Sequence, residues 1–319
     1  ERFLEGPVAL PTGASVDLSD VVERHADGTW HLAVPATEAL ANRLVAEEAL
    51  VIEAVVPAYR ARLRDPATGA GQIEVTASPA HMPILPLVMD TGVAAVASPW
   101  DSLPAPAFAA PGDADALVRA GIADLTARLG ATPAGFWSPD AALSDGVAGL
   151  LAGAGVRWTM SVEEVLAKSV PAGQAAWYPY RIGDGASSRG SGDADDGRDT
   201  ADGLTVVFRN SALSNAIGFT YASMPAAAAA ADFLGRVLDD APPYGREGRL
   251  TVVLLDGECA WCNHADDGRA FLSATYGGLD EAFAAGAIVT VTVQEYLDGD
   301  PARGVAPHPL VAQRALQTI

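Results

Sequence analysis

The apolar positions divide the chain into alternating elements. From Glu38 to Leu63 there is no glycine and a single proline, Pro57, so the spacing predicts one long helix over 38–64, kinked near Pro57. Residues 1–37 scatter Pro, Gly and Asp and are expected to be irregular. Residues 71–76 read as a strand, and 94–97 as a short helical piece. Residues 113–129 are amphipathic, with Leu117, Val118, Ile122, Leu125 and Leu129 recurring at helical spacing. A short strand is expected at 135–137, a helix at 145–154 stopped by Gly155, and a strand at 156–160. The strand at 204–208, the helix at 226–238 and the strand at 250–255 follow, and a strand at 288–293 with a helical turn near Glu295 closes the pattern.

Strands that are apolar on both faces, such as 251–255, fit a parallel sheet covered on both sides. Their alternation with helices gives an α/β class. No G-x-G-x-x-G follows a strand and no Walker A loop is present, so a nucleotide-binding fold has no support. A barrel is the better reading, and in barrels the polar residues at the C-terminal ends of strands are the catalytic candidates. Residues 183–203, GDGASSRGSGDADDGRDTADG, interrupt the pattern as an acidic low-complexity loop and are expected to be disordered.

Charge narrows the possible partners. Twenty basic against 40 acidic residues leave a net charge of −20 over 319 residues, which disfavours nucleic acid and anionic membrane surfaces. No apolar run reaches ~18 residues, so no membrane span is expected. The chain starts Glu1-Arg2-Phe3 without a Met or an apolar signal region, so a cytoplasmic location is expected and the chain reads as a fragment or trimmed form. Hydrophobic residues make up 50%, enough for a large core. Oligomeric state is not legible.

Three strand ends carry chemistry. Asp256, Gly257 and Glu258 follow the strand at 250–255, Asp140 follows Trp137-Ser138-Pro139, and Arg209 and Asn210 follow the strand ending at Phe208. Two carboxylates from different strands, with Trp137, Trp177 and Trp261 available to stack on sugar rings, match what a glycosidase needs. The alternative is that Asp140 or Asp256 caps the following helix. Arg209 is expected to orient a carboxylate, Glu74 to be paired or at a rim, and Tyr178 and Tyr180 either to line a cleft or to pack. Cys259 and Cys262 form a C-x-x-C; a redox pair or half a zinc site with His264 stands against simple drift.

Five stretches in order resemble glycoside hydrolase family 57, in its amylopullulanase-like branch, over about residues 38–310. GQIEVTASPAHMPILP at 71–86 resembles a strand followed by T-T-P-Y-Y-H-P-I-L-P. The stretch beginning GFWSPDAALS at 135 resembles G-F-W-P-S-E-G-A-V-S, and WYPYRI at 177–182 resembles Y-R-P-Y-R-V. LTVVFRNSALSNAIGFTY at 204–221 is similar to V-V-F-R-D-H-x-L-S-D-L-I-G-F-x-Y, and LLDGECAWC at 254–262 to L-D-G-E-N-A-W-E. The resemblance implies an incomplete (β/α)7 barrel spanning 38–319, without its first strand or strands. It also implies retaining chemistry on α-glucans or maltooligosaccharides, with no cofactor and no metal required. Asp140 then takes the nucleophile position and Asp256 the acid/base position. His81, Trp137, Arg209, Asn210, Glu258 and Trp261 are the substrate-binding candidates.

The departures from the family pattern are specific. Asp140 stands where the family has Glu, which withdraws the carboxylate by roughly 1.5 Å. Retaining attack needs carboxyls ~5–5.5 Å apart, and inversion ~6.5–9.5 Å. Met82 replaces the family's His, with His81 one place early, and Asn210 and Asn215 stand at two Asp positions. The family's His-Gln-Pro-type first-strand motif has no match in 1–70, and the Gly-Ser-Trp-Ile segment is missing after Leu310. Two functions are therefore carried forward: a retaining glycosidase or transglycosidase, and a relative that binds α-glucan without efficient turnover. A polysaccharide deacetylase would need an Asp-Asp pair and an H-x-x-x-H triad, and neither is present.

Overall fold

The computed structural model describes residues 2–65, 67–169, 175–182, 203–239, 249–257, 261–307 and 314–316. The expected acidic loop lies almost wholly outside them. The chain separates into two compact units, one of residues 1–73 with 126–131, the other of 74–125 with 132–319.

The first unit is not irregular at its start. A short α1 (Arg2–Glu5) leads into two antiparallel hairpins, β1 (Val8–Ala9) with β2 (Ser15–Val16) and β3 (Val22–Arg24) with β4 (Trp30–Leu32). Gly13 and Gly28 hold positive φ at the hairpin turns, a conformation glycine adopts without a Cβ clash. The long helix is α2 (Glu38–Arg60), capped by the Thr37 hydroxyl and retaining Pro57 inside it. Arg43 ties it to the hairpin segment through both oxygens of Asp20 at 2.7 and 2.8 Å.

The second unit is a mixed α/β body. Its helices are α3 (Leu85–Met89), α4 (Ala94–Ala97), α5 (Pro111–Leu129), α6 (Asp145–Gly153), α7 (Glu163–Lys168), α8 (Ser211–Asn215), α9 (Ala226–Asp239), α10 (Arg269–Ala284) and α11 (Val293–Asp298). Three strands form a parallel arc: β5 (Gly135–Phe136), β6 (Trp158–Val162) and β8 (Leu204–Arg209). Single parallel bridges extend it at both sides, Ala77 to Phe136 and Arg209 to Val252. β7 (Tyr180–Ile182) lies antiparallel against the start of β8 and pairs in turn with β9 (Arg314–Leu316). The described sheet is thus mixed, with a parallel part formed by β5, β6 and β8.

The expected strands at 71–76 and 250–255 shrink to bridges at Ile73, Ala77 and Val252. The expected strand at 288–293 does not form. Thr292 instead caps α11, its hydroxyl accepting the Glu295 N–H while the Glu295 carboxylate accepts the Thr292 N–H. Thr-x-x-Glu is the capping box, and that local signal outweighs the β-branched run before it.

Alternation along the strands assigns two faces. Phe136, Leu204, Val206 and Phe208 belong to one buried cluster with Val118 of α5 and Val147 and Leu151 of α6. Val253 and Leu255 pack on a second cluster built from Leu213, Ile217, Tyr221, Phe233 and Phe271. Because successive side chains point to opposite faces, Trp158, Val162, Arg209, Val252 and Leu254 share the face turned from those clusters. Gly135 leaves room on that face for the Trp158 indole; a Cβ there would collide with the ring.

Candidate active site

The parallel register sets the ends of β5, β6, β8 and the Val252 segment along one C-terminal edge. Asp140 sits in the turn Pro139–Ala141, directly after β5, and is exposed. Its backbone is left-handed at φ 56°, and Ala141 also has φ 56°. Left-handed non-glycine residues cost on the order of 1–3 kcal/mol each and collect at functional sites. The family resemblance places Gly where Ala141 stands; here the bend carries a side chain. The bend is held from below: the Ser161 hydroxyl donates to Ala141 O at 2.7 Å, and Ala141 N–H donates to Ser138 O at 3.0 Å. Ser138 is fully buried, and its Oγ finds no partner among the described residues. Trp137 is half-buried, its N–H donating to Ala77 O at 2.7 Å, and alternation puts it on the face of Arg209.

His81 and Met82 are both left-handed, at φ 63° and 52°, and both exposed. The one-residue offset read from the sequence is therefore met by a local kink rather than by extended backbone. Asp256 is exposed, on the face continuing Val252 and Leu254. Glu258 lies outside the described residues.

Arg209 does not hold a carboxylate among the described residues. Its Nε donates to Leu254 O at 3.1 Å and its Nη2 to the Asn215 amide oxygen at 2.7 Å. Asn215 stands at one of the Asp positions of the family pattern, and its contact with Arg209 is a neutral one. Asn210, expected to touch substrate, caps α8: its Oδ1 accepts the Leu213 N–H at 2.9 Å. Asparagine is among the preferred cap residues, a signal present in the sequence and not used. Glu163 was missed. It follows β6 directly, and its Oε2 accepts the Ser211 N–H at 2.9 Å, tying the ends of β6 and β8 together.

The tryptophans divide. The Arg249 guanidinium lies over the Trp177 ring at 4.5 Å. Trp261 packs against His264 and Phe271, with ring centres 5.7 and 6.2 Å away. Tyr180 is fully buried and donates its hydroxyl to Ala175 O at 2.8 Å, so it packs. Cys262 is disulfide-bonded, and the only other cysteine of the sequence, Cys259, lies outside the described residues. A bonded sulfur is not a thiolate metal ligand. His264 is buried, and its Nε2–H donates to Ile217 O at 2.8 Å, an engagement that also removes that nitrogen from metal binding. No cluster of three metal-ligating side chains occurs among the described residues. No helix among them is long and apolar enough to cross a membrane.

At the opposite end of the sheet, Glu74 is paired. Trp158 Nε1–H donates to its Oε1 at 2.8 Å and Gln294 N–H to its Oε2 at 2.9 Å. Burial pushes the carboxyl above its ordinary range, against these hydrogen bonds.

A mixed α/β body whose sheet is parallel in part, with exposed acids along the C-terminal edge of that part, is the class the geometry defines. The chain belongs to glycosyl hydrolase family 57, whose model matches residues 52–309. No curated protein matches it. Among solved structures it is similar to the GH57-type branching enzyme of the hyperthermophilic archaeon Pyrococcus horikoshii, with 17% identity and TM-score 0.51, over 72% of this chain and 45% of that one. It is also similar to the 4-alpha-glucanotransferase of Thermococcus litoralis, with 14% identity and TM-score 0.47, over 78% and 28%. A putative polysaccharide deacetylase of Mycobacterium smegmatis matches at 14% identity and TM-score 0.36, over 63% and 61%. The chain spans less than half the length of the first two.

Proposed function

We propose that the protein is a glycoside hydrolase or transglycosidase acting on α-glucans by a retaining double displacement. The sheet is then an arc of the family's (β/α)7 barrel, and the exposed edge is its mouth. In the first step an Asp140 oxygen attacks the anomeric carbon while Asp256 gives its proton to the departing glycosidic oxygen, and the C–O bond breaks. In the second step Asp256 takes a proton from water or an acceptor hydroxyl, which attacks the anomeric carbon and releases Asp140. The observation that carries this reading is the family match across the segments that bear both acids, together with the left-handed, exposed backbone at Asp140. Arg209, anchored on Leu254 O two residues before Asp256, serves to fix the end of that segment. Glu258, His81 and Trp137 belong to the substrate side of the proposal.

The test is product-resolved turnover of maltoheptaose by the full chain, with Asp256→Asn as control. The proposal expects cleavage or chain-length redistribution that the control loses by about 10²–10⁴-fold, the range for a general acid. Equal turnover in the control overturns the role of Asp256. A second reading, glucan binding without efficient turnover, is favoured by the neutral Arg209–Asn215 contact and by the shortened side chain at position 140. It expects maltoheptaose binding without products, from a chain with a cooperative melt.

A further inference from the structure

We propose that Phe219, with Asn215 and Arg209, forms a subsite beside Asp256 that binds one glucose ring of an α-glucan. The proposal rests on the glucan-acting reading above and adds a residue that neither the motif comparison nor the strand-end argument named as substrate-binding. Phe219 is 76% exposed, although its neighbours Ile217 and Tyr221 are buried in the second cluster. Its backbone is therefore held in place while its ring faces solvent. It lies in a π-helical segment, Ala216–Thr220, that continues α8. Such wide turns are rare and frequently mark functional sites.

Two hydrogen bonds connect the segment before the acid to the helix that leads into this ring. Leu254, two residues before Asp256, accepts from Arg209 Nε at 3.1 Å. Arg209 Nη2 donates to Asn215 Oδ1 at 2.7 Å. Asn215 is exposed, and Phe219 follows it by about one helical turn on the same side. From the other direction, His264, eight residues after Asp256, donates to Ile217 O at 2.8 Å and pins the π-helical segment to the loop beyond the acid. The combination suits a pyranose: the ring of Phe219 covers the sugar's apolar C–H face, and the Asn215 amide and Arg209 guanidinium meet its hydroxyls. Two of the three candidate stacking tryptophans are engaged elsewhere, Trp177 under Arg249 and Trp261 against Phe271 and His264.

The experiment is calorimetric titration of the full chain with maltoheptaose, alongside thermal melts. Phe219→Ala is expected to weaken Kd roughly tenfold with an unchanged melt, as removal of one aromatic stacking contact implies. Phe219→Tyr is expected to bind like the parent. Tyr276→Ala, which removes a 63% exposed ring from α10, is expected to change nothing. Parent-like binding by Phe219→Ala overturns the subsite while leaving the glucan reading in place. A melt lowered together with binding assigns the ring to packing and also overturns it. No binding by the parent chain overturns the glucan reading itself and the subsite with it.

Discussion

At the N-terminal end of the parallel sheet, Glu74 receives hydrogen bonds from Trp158 and Gln294, and nearby Arg157 meets both oxygens of Asp298 at 2.8 and 2.6 Å. At the C-terminal edge, Asp140 and Asp256 face solvent, His81, Met82, Asp140 and Ala141 are left-handed, and Arg209 meets only neutral oxygens among the described residues. One end uses its polar groups to close the structure, so removing a partner there strands a buried donor or acceptor. The other end leaves its carboxylates open and stores strain beneath them. The same strands serve both ends, which is why a change at the edge need not disturb the fold.

The sharpest way to break this contrast is Asp140→Glu. If the edge is built for chemistry, restoring the methylene raises turnover by up to ~10²-fold, the scale at which small misplacements act. Initial-rate measurement on maltoheptaose checks it, and a fall would remove Asp140 from the nucleophile role. At the other end, Glu74→Ala leaves the Trp158 and Gln294 donors without an acceptor and is expected to cost about 1–3 kcal/mol in urea unfolding. Glu74 also makes the contrast pH-dependent. Its folded carboxyl holds its proton more tightly than the ordinary value of 4.5, so its contribution is fully present below that value and declines as pH rises through the raised one. Glu74→Gln should flatten that part of the profile. Ala141→Gly relieves a left-handed alanine and is expected to stabilise by about 1 kcal/mol, less the added freedom of the unfolded chain. The smallest effect belongs to Asn215→Asp: an exposed pair with Arg209 adds ~0–1 kcal/mol, read as a shift in Tm that salt removes.

The scaffold was legible where burial wrote a continuous pattern. The apolar run of β8, the stripe of α5 and the glycine-free stretch of α2 were each read at nearly their true bounds. Local chemistry that competes with hydrophobic pattern was harder. Thr292 and Glu295 cap a helix where a β-branched run suggested a strand, and Asp27-Gly28 closes a hairpin too short to show alternation. In the candidate site, acids after an apolar run stand out in sequence, and Asp140 and Asp256 are both exposed in the structure. The cap preference of Asn210 was there to read, but what its neighbours do was not legible: Trp261 packs, and Glu163 bridges two strand ends through Ser211. Those roles depend on which backbone N–H or ring is nearby in space, and a single sequence does not carry that.

Retaining chemistry at the open edge is tested most directly by the anomer of the first product. Proton NMR of maltoheptaose turnover by the full chain, followed before mutarotation, reports it. The α-anomer, retained from the substrate, is expected, with the signal absent in Asp256→Asn. Release of the β-anomer, or no product from a chain that binds maltoheptaose and melts cooperatively, would contradict it.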